Sequence, residues 1–198
     1  MTVRTSHIML VLSAFLAGLV VFLMVFMFAT GQFRNGAPAG SAIGGPFKLT
    51  DQDGKPITDQ DMKGEPLLVF FGYTHCPDIC PTTLFELSEV LRAMGPDAGR
   101  VHALYITVDP ERDTPAVMKD YLSSFDPHLR GATGSREAID SAEKEYRVYA
   151  KKVPTDNGDY SMDHTAVVYL MDKQGRFVAP FKVDRKPEEA AADLRHYL

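Results

Sequence analysis

The chain has 198 residues, room for one domain plus an anchor and little more. With 26 acidic against 21 basic side chains its net charge is −5, which excludes the basic footprint of a nucleic-acid binder and leaves no patch for anionic lipid. No internal repeat is visible, and the apolar residues are unevenly spread.

From Ile8 to Thr30 every residue is apolar, small or hydroxylated. A helix of that length rises about 35 Å, enough to cross a hydrocarbon core of about 30 Å with its backbone polar groups paired internally. The pattern predicts a transmembrane anchor over 8–30, preceded by a short segment, 1–7. Ala37-Pro38-Ala39 has the small-residue character of a signal-cleavage site. The apolar stretch is longer than the roughly 7–15 residues of a signal h-region, which favours a retained anchor. Arg4 and Arg34 flank the span and nearly cancel as an orientation signal. The short N-terminal segment points to a signal-anchor with the large domain exported. Setting aside Arg4 from the net charge of −5 leaves −6 beyond the anchor, an ordinary solubility charge.

Residues 31–45 are rich in Gly, Ala, Ser and Pro and read as a flexible tether. The folded domain is expected over 46–198. Phe47 and Leu49 alternate into the turn Asp51-Gln52-Asp53-Gly54, suggesting a hairpin that returns through Ile57. Thr58 is placed to cap a short helix. Leu67 to Phe71 is a continuous apolar run, the pattern of a strand buried on both faces. Leu84, Leu87, Val90 and Leu91 then fall at helical spacing, stopped by Gly95-Pro96. Val101 to Val108 reads as a second buried strand. Thr114 and Pro115 open a helix running to about Phe125, and Ser135 to Tyr146 is another. Strands are expected near Val148–Val153, His164–Met171 and Arg176–Val183, and Pro187 opens a terminal helix. This order predicts an α/β domain of thioredoxin-like fold, a central mixed sheet flanked by helices.

The two cysteines, Cys76 and Cys80, sit where the first buried strand gives way to a helix, and sites in α/β sheets form at such strand ends. The helix start is expected to lower thiol pKa, with His75 as a positive neighbour. Three readings compete. A structural disulfide would close a very short loop and contribute little. A redox dithiol suits the position, but three residues intervene rather than two. Two thiolates are half of a soft-ligand set for Cu(I) or Zn, and an iron–sulfur cluster would need four. The pair alone leaves redox and metal readings level.

Of six histidines, His7 lies at the anchor, and His102, His128 and His196 have no chemical company. His75 adjoins Cys76 too closely in sequence for both side chains to aim at one ion. His164 starts the apolar run through Leu170, and in a thioredoxin-like topology the loop entering that strand lies against the cysteine-bearing helix start.

The segment Phe71-Gly72-Tyr73-Thr74-His75-Cys76-Pro77-Asp78-Ile79-Cys80-Pro81-Thr82-Thr83-Leu84 resembles the signature of the Sco/SenC family of copper proteins. Val108 to Pro115 resembles that family's second block, and Asp163-His164-Thr165 its third. The resemblance implies a metal site of Cys76, Cys80 and His164, holding Cu(I), and Cu(II) with an added oxygen or water ligand. It further implies a copper metallochaperone that assists assembly of the CuA centre of cytochrome c oxidase subunit II. Its partners would be the apo CuA domain, with another copper chaperone as donor, and its place a bacterial inner membrane with the domain facing the periplasm. An open coordination position would permit transfer. The alternative is a thiol–disulfide oxidoreductase with Cys76 and Cys80 as its redox pair, reducing the CuA-site cysteines or acting in redox signalling. A peroxidase of the peroxiredoxin type would need threonine where Tyr73 stands. A purely structural tethered adaptor is the blandest alternative. Asp78 and Asp109 are candidates for orienting ligands or docking, and Asp113 reads more simply as a helix-start residue. Met162 offers a thioether but is expected to point into packing, outside the ligand set.

Overall fold

A computed structural model describes residues 14–22, 43–156 and 158–198. The chain separates into two units, Met1–Ala39 and Gly40–Leu198. In the first, residues 14–22 form a helix, α1, with exposed side chains. The rest of the expected anchor, and most of the expected tether, lie outside the described residues. Among the described residues no helix is long and apolar enough to cross a membrane.

The second unit opens with a hairpin of β1 (Lys48–Asp51) and β2 (Pro56–Thr58). Its turn is made locally. The Asp51 carboxylate accepts the backbone N–H groups of Asp53 and Lys55 at 3.0 and 2.9 Å, and Gly54 takes the positive φ of 78° that the turn requires. One 3-10 turn follows, Asp59–Met62. Thr58 is its N-cap, as expected, and Asp61 closes the cap by accepting both the backbone N–H and the hydroxyl of Thr58 at 2.7 Å.

The apolar run becomes β3 (Leu67–Gly72), every residue buried. It leads into α2 (Ile79–Met94), whose Leu84, Leu87, Val90 and Leu91 are within 1% of complete burial. β4 (His102–Thr107) runs parallel to β3. Thr114 caps α3 (Pro115–Leu122), its hydroxyl accepting the Val117 N–H at 3.4 Å, and the helix stops short of Phe125. Ser135 likewise caps α4 (Arg136–Glu145).

Two expectations need correction. A strand lies between those helices where none is expected, β5 (Leu129–Thr133), parallel to β4. The run His164–Met171 is two strands, not one: β7 (Tyr160–His164) and β8 (Val168–Met171). β7 pairs with β6 (Ala150–Pro154) in a separate, largely exposed ribbon. The ribbon pairing carries on one step past His164, the Thr165 N–H donating to the Tyr149 carbonyl at 2.9 Å, and β8 begins only at Val168. His164 therefore ends a ribbon strand instead of starting a sheet strand. β9 (Phe177–Pro180) and α5 (Pro187–Arg195) complete the chain.

The main sheet has the order β2-β1-β5-β4-β3-β8-β9, with β3, β4 and β5 parallel and the remaining pairs antiparallel. α2 packs on α5, α3 on β5 and α4 on β1, giving the mixed, helix-flanked sheet of a thioredoxin-like fold. At the centre Phe70, Phe71, Leu104 and Ile106 are essentially inaccessible to water, each worth about 1.5–3 kcal/mol of burial. The most deeply held strand, β3, is the one that delivers the cysteine segment.

Candidate metal centre

The sheet hands the chain to the site at Gly72. A Cβ there would lie 2.8 Å from both Cys80 Sγ and the Tyr105 ring, so only glycine lets β3 approach the sulfur this closely. The next residues form a tight turn in which the Cys76 N–H donates to the Tyr73 carbonyl at 3.2 Å. Cys76 Sγ in turn accepts the Cys80 N–H at 3.4 Å, which sets the two sulfurs one turn apart at the start of α2. The sulfurs are unbridged. Cys80 is fully buried, whereas Cys76 keeps 9% exposure.

β7 brings His164 to the pair. Its Nε2 lies 3.5 Å from Cys80 Sγ, and its Nδ1 lies 3.1 Å from the Thr165 carbonyl oxygen. A carbonyl only accepts, so Nδ1 carries the proton and Nε2 presents a lone pair to the sulfurs. The ring is held edge-on against Tyr73, with centroids 5.8 Å apart, and against Phe70 at 6.5 Å. The ligand atoms of Cys76, Cys80 and His164 all lie within 4.8 Å of one another, the only such grouping of His, Cys, Asp and Glu among the described residues.

Burial sets the charge of His164 and Cys80. It lowers the His164 pKa, keeping the imidazole neutral and able to ligate. It pushes the Cys80 thiol up to about 12, against the lowering expected from a helix start. Desolvation in a dry interior outweighs the helix dipole, whose effect fades within one turn.

The site opens on a cavity of about 280 Å³ whose lining includes Tyr73, Cys76, Asp78, Ile79, Met162 and His164. Around it, three chain segments are tied together. Asp113, expected to serve the start of α3, is instead wholly buried behind the cysteine turn. It accepts the backbone N–H of Thr74 at 3.0 Å and the hydroxyls of Thr74 and Thr107 at 2.6 Å. Asp109 accepts from Arg112 Nε and from the Tyr160 hydroxyl at 2.9 Å. The Arg112 guanidinium lies 3.8 Å from the Tyr160 ring centroid and donates to the Tyr160 carbonyl at 3.0 Å. Tyr73 and Ser161 hydroxyls meet at 3.0 Å. These contacts fasten the β6–β7 ribbon, and His164 with it, over the ends of β3 and β4.

The other candidates fall where their chemistry leaves them. His75 is exposed and turns to Thr74 and Asp113, away from the ligand grouping. His102 opens β4, His128 pairs with Asp126, and His196 follows α5, all outside the grouping; His7 is outside the described residues. Met162 is buried and lines the cavity. Sequence reasoning misses Gly72, Tyr73, Arg112, Tyr160 and Ser161. Only Gly72, a glycine closing an apolar strand, carries a signal of close approach.

Two thiols and a neutral imidazole form a soft three-donor set, with Cys76 and His164 lining the cavity and Cys80 buried behind them. A family model, SCO1/SenC, matches residues 35–198. The copper-bound structure of Bradyrhizobium japonicum ScoI is 68% identical with a TM-score of 0.77, over 79% of this chain and 99% of that one. The copper-bound yeast Sco1 is 37% identical with a TM-score of 0.71, over 78% of this chain and 87% of that one. The mitochondrial SCO1 homolog of Mus musculus is 40% identical over 159 residues, 79% of this chain and 56% of the mouse protein. With 51% coverage of the Arabidopsis thaliana SCO1 homolog 1, the chain spans about half the length of these two curated relatives.

Proposed function

The chain belongs to the SCO1/SenC family, and from its site we propose that it is a copper carrier whose cargo is held by Cys76, Cys80 and His164 and passed to the apo CuA site of cytochrome c oxidase subunit II. The observation that carries this is the convergence of the three ligand atoms within 4.8 Å of one another, two of their residues, Cys76 and His164, lining an open cavity. The copper bound in the structures of the Bradyrhizobium and yeast relatives supports the choice of metal.

The chemistry follows from the donors. Thiolates select Cu(I), and three protein ligands leave a side from which an acceptor's sulfur or nitrogen can enter before a carrier ligand leaves. Loading displaces the thiol protons, that of the deeply buried Cys80 included, so affinity rises with pH. Cu(II) is accommodated with an added oxygen or water ligand. In this reading residues 8–30 anchor the protein in a bacterial inner membrane, the domain faces the periplasm, and a second chaperone supplies the copper.

The test is His164→Ala in the full-length chain. Loss of an outer partner of a metal ligand costs about 10–100-fold in affinity, so loss of the ligand itself is expected to cost at least that. X-ray absorption of the wild type is expected to show two sulfurs and one nitrogen around copper. Unchanged affinity in the variant would remove His164 from the site.

One observation favours a second activity: Cys76 is partly accessible while Cys80 is buried behind it. This is the asymmetry of an attacking and a resolving thiol. Cys76 would attack an acceptor disulfide, and Cys80 would displace the mixed disulfide, leaving a reduced acceptor and a Cys76–Cys80 disulfide. That activity needs no imidazole ligand, so a disulfide-reductase assay on His164→Ala separates it from copper carriage.

A further inference from the structure

Tyr105 lies at the centre of β4, and its ring stacks on Phe70 with centroids 5.8 Å apart. The residue is completely buried, yet its hydroxyl makes no hydrogen bond of ordinary geometry with the described residues. Buried polar groups are nearly always paired, and an orphaned one beside a reactive centre calls for a reason. The hydroxyl oxygen and Cys80 Sγ both lie 2.8 Å from the point that a Gly72 Cβ would occupy. Hydroxyl and sulfur therefore flank the same small gap, opened by the missing side chain of Gly72.

A neutral thiol is a weak acceptor, so a tyrosine hydroxyl gains little by closing on it. A thiolate is a strong one, and bonds to charged acceptors are shorter and stronger. We propose that the Tyr105 hydroxyl is a built-in donor to Cys80 Sγ, left unpaired beside the thiol and engaged once that sulfur is a metal-bound thiolate. The inference rests on the copper reading of the site and deepens it. Tyr105 is a positioning residue that acts through Cys80 and does not itself touch the cargo.

The consequence is an inequality between the two sulfurs. A hydrogen bond draws electron density from Cys80, making it the weaker donor to the metal. Cys76, at the cavity wall, receives its hydrogen bond from the backbone of α2. The Tyr105 hydroxyl also offsets part of the cost of holding a thiolate in a fully buried position.

The experiment uses the full-length chain loaded with Cu(II), whose sulfur-to-copper charge-transfer band reports the energy of the sulfur donor orbital. Tyr105→Phe keeps the ring and its stacking on Phe70. It is expected to move the band to lower energy and to weaken copper binding about tenfold, the usual effect of losing a hydrogen bond to a charged group. Tyr121→Phe is the control, because Tyr121 is a half-buried tyrosine whose hydroxyl is itself buried and unpaired and whose ring neighbours Tyr105 at 6.1 Å. It is expected to leave the band in place. Should Tyr105→Phe fail to fold, 3-fluorotyrosine at position 105, a stronger donor of nearly the same size, is expected to move the band to higher energy. A band unmoved by either replacement, or moved equally by Tyr121→Phe, overturns the proposal. If the wild type shows no copper–sulfur band, the copper reading fails first, and the proposal with it.

Discussion

Two histidines, His102 at the start of β4 and His164 in the site, have pKa values held below the ordinary imidazole value of 6.5 because burial disfavours the charged ring. The unfolded chain then binds more protons than the folded one as pH falls below about 6.5. Each histidine thus contributes stability that is complete above that pH and lost as pH falls through its depressed folded value. Without copper, chemical denaturation is expected to show a lower midpoint at pH 5.5 than at pH 7.5. The double variant His102→Gln, His164→Gln is expected to show a smaller fall. The buried carboxyls of Asp113 and Glu143 are pushed upward and act with the opposite sign, so the difference between wild type and variant is the quantity to read. A variant with an undiminished pH response would place the linkage elsewhere. His164 is readable in the sequence because it stands at the head of an apolar run, in a block that resembles a known family. Asp113 is not, because its position before a helix is equally that of a cap. Nothing in the linear order says that Thr74, 39 residues away, will claim its carboxylate.

At the scale of elements, the ribbon of β6 and β7 matters more than its exposure suggests. It has little core of its own, and its hold on the sheet runs through Arg112, Tyr160, Tyr73 and Ser161. Arg112→Ala leaves Asp109, which is 1% exposed, without its cation, and breaking a buried pair costs about 3–5 kcal/mol. The expected outcome is a domain destabilised by several kcal/mol in urea, with copper affinity also reduced although no ligand is changed. Unaltered affinity would mean that His164 keeps its place without the clamp. The same region shows where local pattern reading stops. The helices and the strands β3 and β4 follow from periodicity and caps, because their apolar spacing and their Thr114 and Ser135 signals are local. β5, Leu-Arg-Gly-Ala-Thr, lacks alternation, and its glycine reads as a breaker. In the fold Gly131 lets α3 pack closely: a Cβ there would lie 2.7 Å from the end of the Leu122 side chain and 2.9 Å from that of Met118, both of which would have to shift. The break between β7 and β8 is equally hidden, since Thr165 to Val167 suit a strand, and only the different partners, β6 for β7 and β3 for β8, separate the two.

For the molecule as a whole, the 3.5 Å approach of Cys80 to His164 joins points 84 residues apart in the chain. An ion gripping both is a removable cross-link, and a clip that closes so long a loop restricts the unfolded chain far more than a local one. At a free copper concentration about a hundred times the dissociation constant, stabilisation of about 2.7 kcal/mol is expected. For a domain of this size that is a rise of roughly 5–10 °C in melting temperature. Amide exchange in β6 and β7 is expected to slow on loading, and no change in either quantity would mean that the ion does not bridge the two elements. The loaded carrier is then the stapled form and the emptied one the looser form. Under the proposed function, each delivery would unfasten the histidine strand from the cysteine helix, a slackening that can be sensed without contact with the metal.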